Sequence, residues 1–248
     1  MSTVYIISAP SGSGKSTLVN ELRKIVPGLN FSISYTTRAS RGSERNGWEY
    51  FFVTRPEFER MIQRDEFLEH ADVHGNCYGT ARRFLLEAEK SNLDLLLDID
   101  VQGAAQVKNK ISDAVSIFVL PPNRETLEWR LRNRGQDSDA EIGRRLVTAS
   151  REIENYDKYD YILVNDRLED SVEALKAIVL AERLQRSGAP ASTGESQILD
   201  KAERCRLSNV QERVRPIVES FRVGDSSVRA AGHASGLDHA TSSGEKTS

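Results

Sequence analysis

A flexible stretch near the N-terminus, SAPSGSGKSTL (residues 8–18), leads into a lysine and two hydroxyl side chains. It fits the pattern G-x-x-x-x-G-K-[ST] of phosphate-binding loops, with Ala9 in place of the first glycine. Gly12 and Gly14 allow backbone N–H groups to turn towards phosphates, and the start of the following helix adds a positive potential. Because Ala9 is not glycine, we expect the first turn to form without positive φ.

Lys15 and Ser16 supply the side-chain chemistry of this loop. In the pattern, the lysine reaches the β- and γ-phosphates of a nucleotide, and the serine hydroxyl is a ligand for Mg²⁺. The alternative is a tight strand-to-helix turn without a ligand, which a Gly-Lys-Ser sequence after an apolar run disfavours. The loop residues predicted to bind the nucleotide are Ala9, Pro10, Ser11, Gly12, Ser13, Gly14, Lys15, Ser16 and Thr17.

A second candidate anion site lies in SYTTRASRGSERNGWEYFFV (residues 34–53), where Arg38, Arg41 and Arg45 are close together and Tyr50 follows. Arginine forms paired hydrogen bonds to phosphate, so two arginines and a hydroxyl suit one phosphate group. A solvated basic loop is the alternative for any one of these arginines.

Two carboxylates, Asp98 and Asp100, lie at the end of the apolar run LDLLLDI (residues 93–99). Ligands of open α/β sheets bind at the carboxyl ends of the strands, so both residues are candidates for the site. For Asp100, an ordinary helix N-cap is the alternative.

The elements that must position these residues are predicted from apolar runs and helical periodicity. Strands are predicted in residues 4–7, 31–35, 50–53, 93–99, 115–120 and 161–164, with helices between most of them and from 172 to about 186. This alternation is typical of an α/β fold, a parallel sheet with helices on both faces. Residues 34–82 break the alternation and predict an inserted lobe.

Composition favours one globular domain with an appendage. The chain has 248 residues, of which 38% are hydrophobic and 29% charged, enough for one core of ordinary size. A net charge of −3 gives no indication of a nucleic-acid or membrane-surface partner. The N-terminal apolar run is too short for a signal peptide, and no run reaches the roughly 20 residues of a membrane helix. Two cysteines far apart in sequence favour a reducing cytoplasm.

The composition after residue 186 is that of a linker, RSGAPASTGES (residues 186–196). Residues 197–221 are amphipathic and predict one helix, which Pro216 should kink or end. From about residue 223 the chain is rich in Ser, Ala, Gly and His, which predicts disorder. We expect the extension of residues 187–248 to dock on the domain or to mediate self-association, with a weakly ordered appendage as the alternative.

Five further motifs follow the loop in this order: SISYTTRASRGSERNGWEYFFV, FLEHADVHGNCYGT, LLLDIDVQG, RLRNRG and YDYILVND. Together they resemble the guanylate kinases, the family that transfers a phosphate from ATP to GMP, over residues 1 to about 186. The resemblance implies the fold of P-loop nucleoside monophosphate kinases, with ATP and GMP as substrates and Mg²⁺ as cofactor. It implies a core of residues 1–33, 83–124 and 151–186, a GMP-binding lobe of residues 34–82 and a lid of residues 125–150.

The resemblance also implies, by motif position, how GMP is bound. The residues implied to hold its phosphate are Arg38, Arg41, Tyr50 and Tyr78. Those implied to hold the guanine are Ser34, Glu69 and Thr80. Guanine offers N1–H and N2–H₂ as donors to a carboxylate, whereas adenine has no N1–H and would leave that carboxylate unpaired. Without the resemblance, Glu69 in DEFLEHAD would be interpreted as a surface residue.

The same resemblance assigns the two acids after the apolar run. Asp98 would lie near Mg²⁺, through a water molecule, and Asp100 would support the GMP side. Asn165, in VND at a strand end, would contact the adenine of ATP.

Lys15, Arg134 and Arg145 are the residues implied to compensate charge during transfer. Adjacent residues on a helix point about 100° apart, so we expect one residue of the pair Arg144-Arg145 to face the phosphates. Motif position favours Arg145, and Arg144 is expected to be solvated.

Two other classes of protein share parts of this pattern. Non-catalytic guanylate-kinase-like modules have typically lost parts of the loop and the GMP pocket, which are retained here. A P-loop kinase for a ribosyl phosphate would lack the guanine-binding residues. The sequence leaves open the choice between monomer and homo-oligomer and the acceptance of dGMP.

Overall fold

The computed structural model describes residues 2–73, 75–133, 137–188 and 192–233. In chain order, the elements are β1 (Val4–Ser8), α1 (Lys15–Ile25), β2 (Leu29–Phe31), β3 (Tyr35–Thr36), β4 (Phe51–Phe52), α2 (Arg55–Gln63), β5 (Phe67–Val73), β6 (Asn76–Ala81), α3 (Arg82–Ser91), β7 (Asp94–Asp98), α4 (Val101–Lys110), β8 (Val115–Leu120), α5 (Arg124–Asn133), α6 (Asp139–Ile153), a 3₁₀ turn (Tyr156–Lys158), β9 (Tyr161–Val164), α7 (Leu168–Ser187), α8 (Thr193–Glu203) and α9 (Leu207–His233).

A five-stranded parallel sheet in the order β2-β7-β1-β8-β9 forms the centre of the protein. Strands β1 and β8 are buried at every residue, because helices cover both faces of the sheet. One face packs on α3, α4, α5, α6 and α9, and the other packs on α1, α7 and α8. The predicted α/β fold with a doubly covered parallel sheet is confirmed.

A second sheet, in the order β4-β3-β6-β5, is built from residues 35–81. Its β5 and β6 form an antiparallel hairpin in which Glu69 lies opposite Thr80. The hairpin is closely packed at Gly79, where an added Cβ atom would lie 2.9 Å from the Phe67 ring. This sheet occupies the segment in which the sequence predicts an inserted lobe.

The prediction of one C-terminal helix over residues 197–221 is wrong, because α8 and α9 are separate helices. Between them the chain pairs with the edge of the central sheet. The backbone N–H of Ile162 donates to the Cys205 carbonyl at 2.7 Å, and that of Leu207 donates to the Asp160 carbonyl at 3.1 Å. A helix cannot continue through residues whose backbone groups bond to a strand.

Helix α9 also differs from expectation at its end. Pro216 lies inside the helix and does not end it. Proline has no N–H, so the Glu212 carbonyl loses its helical hydrogen bond. Glu212 is exposed, so this carbonyl can bond to water instead. Helix α9 extends to His233, into the segment from about residue 223 in which the sequence predicts disorder. Extending a helix that is already nucleated requires little free energy per residue.

The apolar face of α9 packs against α5 and α6. Its buried side chains are Val210, Val214, Ile217, Val218 and Phe221. Two hydrogen bonds fix this contact: the Arg124 N–H donates to Ser220 Oγ at 3.2 Å, and Ser150 Oγ donates to the Phe221 carbonyl at 3.3 Å. The described part of α9 from Val210 to Phe221 therefore packs on the domain. Among the helices of the described residues, none combines the length and the hydropathy of a membrane span.

We predict that replacing Phe221 by alanine destabilises the whole domain, because the ring is 1% exposed within the main core. The free energy of unfolding, measured with denaturant, should fall by about 3–5 kcal/mol. Glu212→Ala, at an exposed position of the same helix, should change it by less than about 0.5 kcal/mol. Equal and small changes in both variants would show that α9 is not part of the core.

Candidate active site

A cavity of about 300 Å³ lies at the carboxyl ends of β1 and β7. It is lined by the phosphate loop, the second sheet and the segment after β7. Its walls are formed by Ala9, Pro10, Ser11, Gly12, Gly14, Lys15, Ser16, Thr17, Ser34, Tyr50, Glu69, Ala71, Val73, Tyr78, Asp98, Ile99, Asp100 and Glu152. Most residues predicted for the two substrates therefore share one cavity.

The phosphate loop needs its glycines for backbone conformation. Gly12 has φ +95° and Gly14 has φ +89°, a region that side chains disfavour. At Gly12, an added Cβ would also lie 2.9 Å from Leu131 Cδ2. Ala9 is not among the residues with positive φ, which confirms the expectation for the first turn.

Lys15 forms an ion pair with Asp98, the last residue of β7, and donates to the Ile99 carbonyl at 3.3 Å. Ser16 lies on the first turn of α1 and lines the same cavity. An alcohol and a carboxylate oxygen are hard ligands that suit Mg²⁺, which proteins hold through one or two such groups together with substrate phosphates. The donor set of Ser16 and Asp98 therefore fits Mg²⁺ bound with a nucleotide. Among the described residues, no group of three or more His, Cys, Asp or Glu side chains could hold a metal ion.

Glu69 is 3% exposed and lies against the backbone of Gly103, where an added Cβ would be 2.9 Å from its carboxyl carbon. Burial raises the pKa of Glu69 to about 7; the charge of Asp100 adds to the shift, and Thr80 opposes it. Thr80 lies opposite Glu69 in the hairpin, and its buried hydroxyl lowers the pKa of Glu69 as a hydrogen-bond donor. Buried polar groups of this kind suit a ligand with several hydrogen-bonding atoms.

Asp100 is the N-cap of α4, as its alternative interpretation predicted. Its Oδ1 accepts from the Gly103 N–H at 2.9 Å, and its other oxygen accepts from Gln102 Nε2 at 3.3 Å. It also lines the cavity, so capping and a place in the site are compatible.

Arg38, Tyr50 and Tyr78 form a cluster at the side of the second sheet. The Arg38 guanidinium lies 5.3 Å from the Tyr50 ring centre, and the rings of Tyr50 and Tyr78 are 5.9 Å apart. Glu44 holds Arg38 by two hydrogen bonds of 2.9 and 3.0 Å, and also accepts from the Arg41 backbone N–H at 2.8 Å. Burial raises the pKa of Tyr50 to about 12, so its hydroxyl is a donor at neutral pH.

Of the basic residues predicted for the site, Arg38, Arg41 and Arg145 are not among those that line the cavity. The Arg41 side chain is exposed. Arg145 on α6 is partly buried and pairs with Asp137 at 3.1 Å, whereas Arg144 is largely exposed and pairs with Glu141. Arg144 is exposed, as expected for a solvated residue, whereas a position of Arg145 facing the phosphates stays a prediction. Arg134 lies outside the residues that the structure describes.

Asn165 borders a second cavity, of about 330 Å³, on the far side of the loop. This cavity is lined by Gly12, Gly14, Thr17, Trp129, Arg130, Asn133, Asn165, Asp166 and Leu168. Asn165 is 5% exposed, and its Nδ2 donates to the Ser13 carbonyl at 2.7 Å. It therefore ties the end of β9 to the phosphate loop.

Comparison with known proteins gives a consistent result. A protein-family model described as guanylate kinase matches residues 1–182. The chain is 60% identical over 223 residues to a guanylate kinase of Koribacter versatilis, a match that covers 89% of this chain and 96% of that protein. The chain belongs to the guanylate kinase family. It is also 48% identical over 187 residues to a guanylate kinase of Escherichia coli K12, covering 75% and 90% of the two chains.

The fold of this guanylate kinase family member agrees with a solved structure. A crystal structure of guanylate kinase from Anaplasma phagocytophilum superposes with a TM-score of 0.61 at 35% identity, covering 73% of this chain and 86% of that one. The K. versatilis match covers 89% of this chain, so it extends past the family model into the C-terminal helices. The predicted family is confirmed.

Sequence reasoning missed two residues of the site. Glu44 holds Arg38, and its position six residues further along a turn-rich segment was a usable signal. Glu152 lines the main cavity, and no local pattern could have identified it, because the packing of α6 brings it there.

We predict that the stability difference between Glu69→Gln and the wild-type protein depends on pH. The pKa of Glu69 is about 7 when folded and 4.5 as a free side chain, so the folded state holds an extra proton between these values. Binding of this proton contributes to the free energy of unfolding of the wild-type protein. The contribution is lost as the pH rises from 4.5 through 7, and the loss amounts to about 3 kcal/mol at most. Between pH 5 and pH 8, the free energy of unfolding of Glu69→Gln, measured with denaturant, should therefore rise relative to that of the wild type. A constant difference, or the same gain in exposed Glu89→Gln, would contradict a buried titrating carboxyl.

Proposed function

We propose that this protein is a guanylate kinase that transfers the γ-phosphate of ATP to GMP, giving ADP and GDP. The observation that carries the proposal is the single cavity in which the phosphate loop and the buried Glu69 face each other. The loop suits the phosphates of ATP, which donates the phosphoryl group. The buried carboxyl group of Glu69 suits a base that donates hydrogen bonds to it.

Glu69, Thr80 and Ser34 bind the guanine of GMP in this proposal. The Glu69 carboxylate accepts from N1–H and N2–H₂, and the Thr80 hydroxyl donates to O6. Both groups are buried, so a base with a different donor pattern leaves them unpaired. Such unpaired buried groups are the main source of discrimination between similar ligands.

Arg38, Arg41, Tyr50 and Tyr78 hold the GMP phosphate. The proposal is supported by the cluster of Arg38 with the two tyrosines, which Glu44 keeps in place. A guanidinium and tyrosine hydroxyls together match the geometry and charge of a phosphate group.

The transfer itself needs alignment and charge compensation more than covalent help from the protein. The GMP phosphate is already ionised near pH 7, so no general base is required. Lys15, Arg134 and Arg145 compensate the charge that spreads over the transferred group, and Asn165 contacts the adenine. Ser16, and Asp98 through a water molecule, would hold Mg²⁺, which would supply charge neutralisation when bound with ATP.

Residues 125–150 act as a lid and residues 34–82 as the GMP-binding lobe. Their closure over the cavity excludes water, which would otherwise attack ATP in place of GMP. The two free cysteines, Cys77 and Cys205, suit a reducing compartment, and we propose the cytoplasm as the location.

We expect strong ADP production from Mg-ATP with GMP and little with AMP, CMP or UMP. In Glu69→Gln, kcat/KM for GMP should fall by about 100-fold or more, because one acceptor oxygen is replaced by a donor that faces N2–H₂. A coupled assay of ADP production measures both the substrate preference of the wild type and kcat/KM of the variant. Glu89→Gln, at an exposed position, is the matched control. No GMP-dependent turnover by the wild-type enzyme would overturn the proposal.

Replacing Asp98 by asparagine tests the proposed metal contact. The Mg²⁺ concentration for half-maximal rate should rise by about 10-fold or more, the usual effect of losing a group that orients a metal's ligands. Asp157→Asn, at an exposed position, should leave it unchanged. An unaltered Mg²⁺ dependence in Asp98→Asn would remove Asp98 from the metal site.

A further inference from the structure

Glu152, on the last turn of α6, lines the phosphate cavity together with the loop of residues 9–17. Its Oε2 is buried and has no hydrogen-bond partner among the residues that the structure describes. Its carboxyl group interacts with the backbone of Ser11 in the loop. An acidic side chain thus borders a loop whose backbone N–H groups attract anions.

The charges around Glu152 are unbalanced. Among the described residues that line this cavity, Lys15 is the one cation, facing the carboxyl groups of Glu69, Asp98, Asp100 and Glu152. Burial raises the pKa of Glu152 to about 7, with Lys15 opposing the shift and Asp100 adding to it. At slightly alkaline pH, Glu152 therefore adds negative charge to a site that must accept phosphates.

Packing fixes the position of this carboxyl group. Ala149 and Ile153, on either side of it in α6, are buried in the core. The one Ser150 Oγ–H is shared between the Leu146 carbonyl at 3.1 Å and the Phe221 carbonyl of α9 at 3.3 Å. The core and α9 thus hold the backbone of this turn of α6, which places Glu152 at the wall of the cavity.

We propose that Glu152 is a positioning residue that limits donor affinity, because its carboxylate competes with the nucleotide phosphates for Lys15 and the loop N–H groups. Such competition weakens the binding of the product ADP as well. Since tight product binding slows product release, weaker binding of ADP raises the turnover rate where release is limiting. The proposal deepens the proposed function and rests on the loop being the donor site.

The test is Glu152→Gln, which keeps the shape of the side chain and removes its charge. At pH 8, calorimetric titration with Mg-ADP and with magnesium-free inorganic triphosphate should show affinities about three- to tenfold higher than in the wild type. KM for ATP should fall by a similar factor, while KM for GMP stays unchanged. Glu152→Asp, which keeps the charge, should resemble the wild type.

Glu154→Gln is the matched control, because Glu154 caps the same helix at an exposed position. It should bind both probes as the wild type does. Unchanged or weaker binding in Glu152→Gln, or equal tightening in both variants, would overturn the proposal. Binding of ADP and triphosphate does not require GMP turnover, so failure of the proposed function would appear separately, as a wild-type enzyme without GMP-dependent activity.

Discussion

The parallel pairing of β1 with β7 is the constraint on which the phosphate site depends. Ile7 lies opposite Asp98, so the strand that enters the loop and the strand that ends in the acid finish at the same edge. Lys15 follows the phosphate loop, and its position at this edge lets it form the ion pair with Asp98. A shift of one residue in this register would turn Asp98 to the opposite face of the sheet. The chemistry of the loop thus depends on two apolar strands that pair in only one way.

The second sheet imposes a different constraint, which is close approach. Gly103 leaves the space that the Glu69 carboxyl group occupies, and Gly79 lets β6 pass the Phe67 ring. This close approach buries the Glu69 carboxyl group, whose surroundings disfavour its charged form. It also buries the Thr80 hydroxyl. Proteins accept such local conflicts mainly where a ligand resolves them.

Local sequence was sufficient where local forces decide the structure. The bounds of β8 and β9 agree with the predicted runs of residues 115–120 and 161–164. Two prolines, Pro121 and Pro122, end the first run, and Asp160 and Asn165 delimit the second. The phosphate loop followed from its motif. The candidate guanine residues came only through the family resemblance, since the burial of Glu69 arises from the hairpin and the approach of α4.

The same reason explains the errors. Residues 204–206 interrupt an amphipathic pattern because their backbone bonds to β9, a partner about 40 residues earlier that no helical periodicity reveals. Glu152 likewise enters the cavity because distant segments hold α6.

That interruption has a consequence for the edges of the central sheet. β9 is an outer strand, and an outer strand with free backbone groups can recruit a strand from another molecule. The bridge between Tyr161 and Arg206 occupies part of this border, and the Arg206 guanidinium lies over the Tyr161 ring, 4.6 Å from its centre. At the opposite border, β2 is only three residues long. The segment between α8 and α9 thus shields part of the β9 edge against edge-to-edge aggregation.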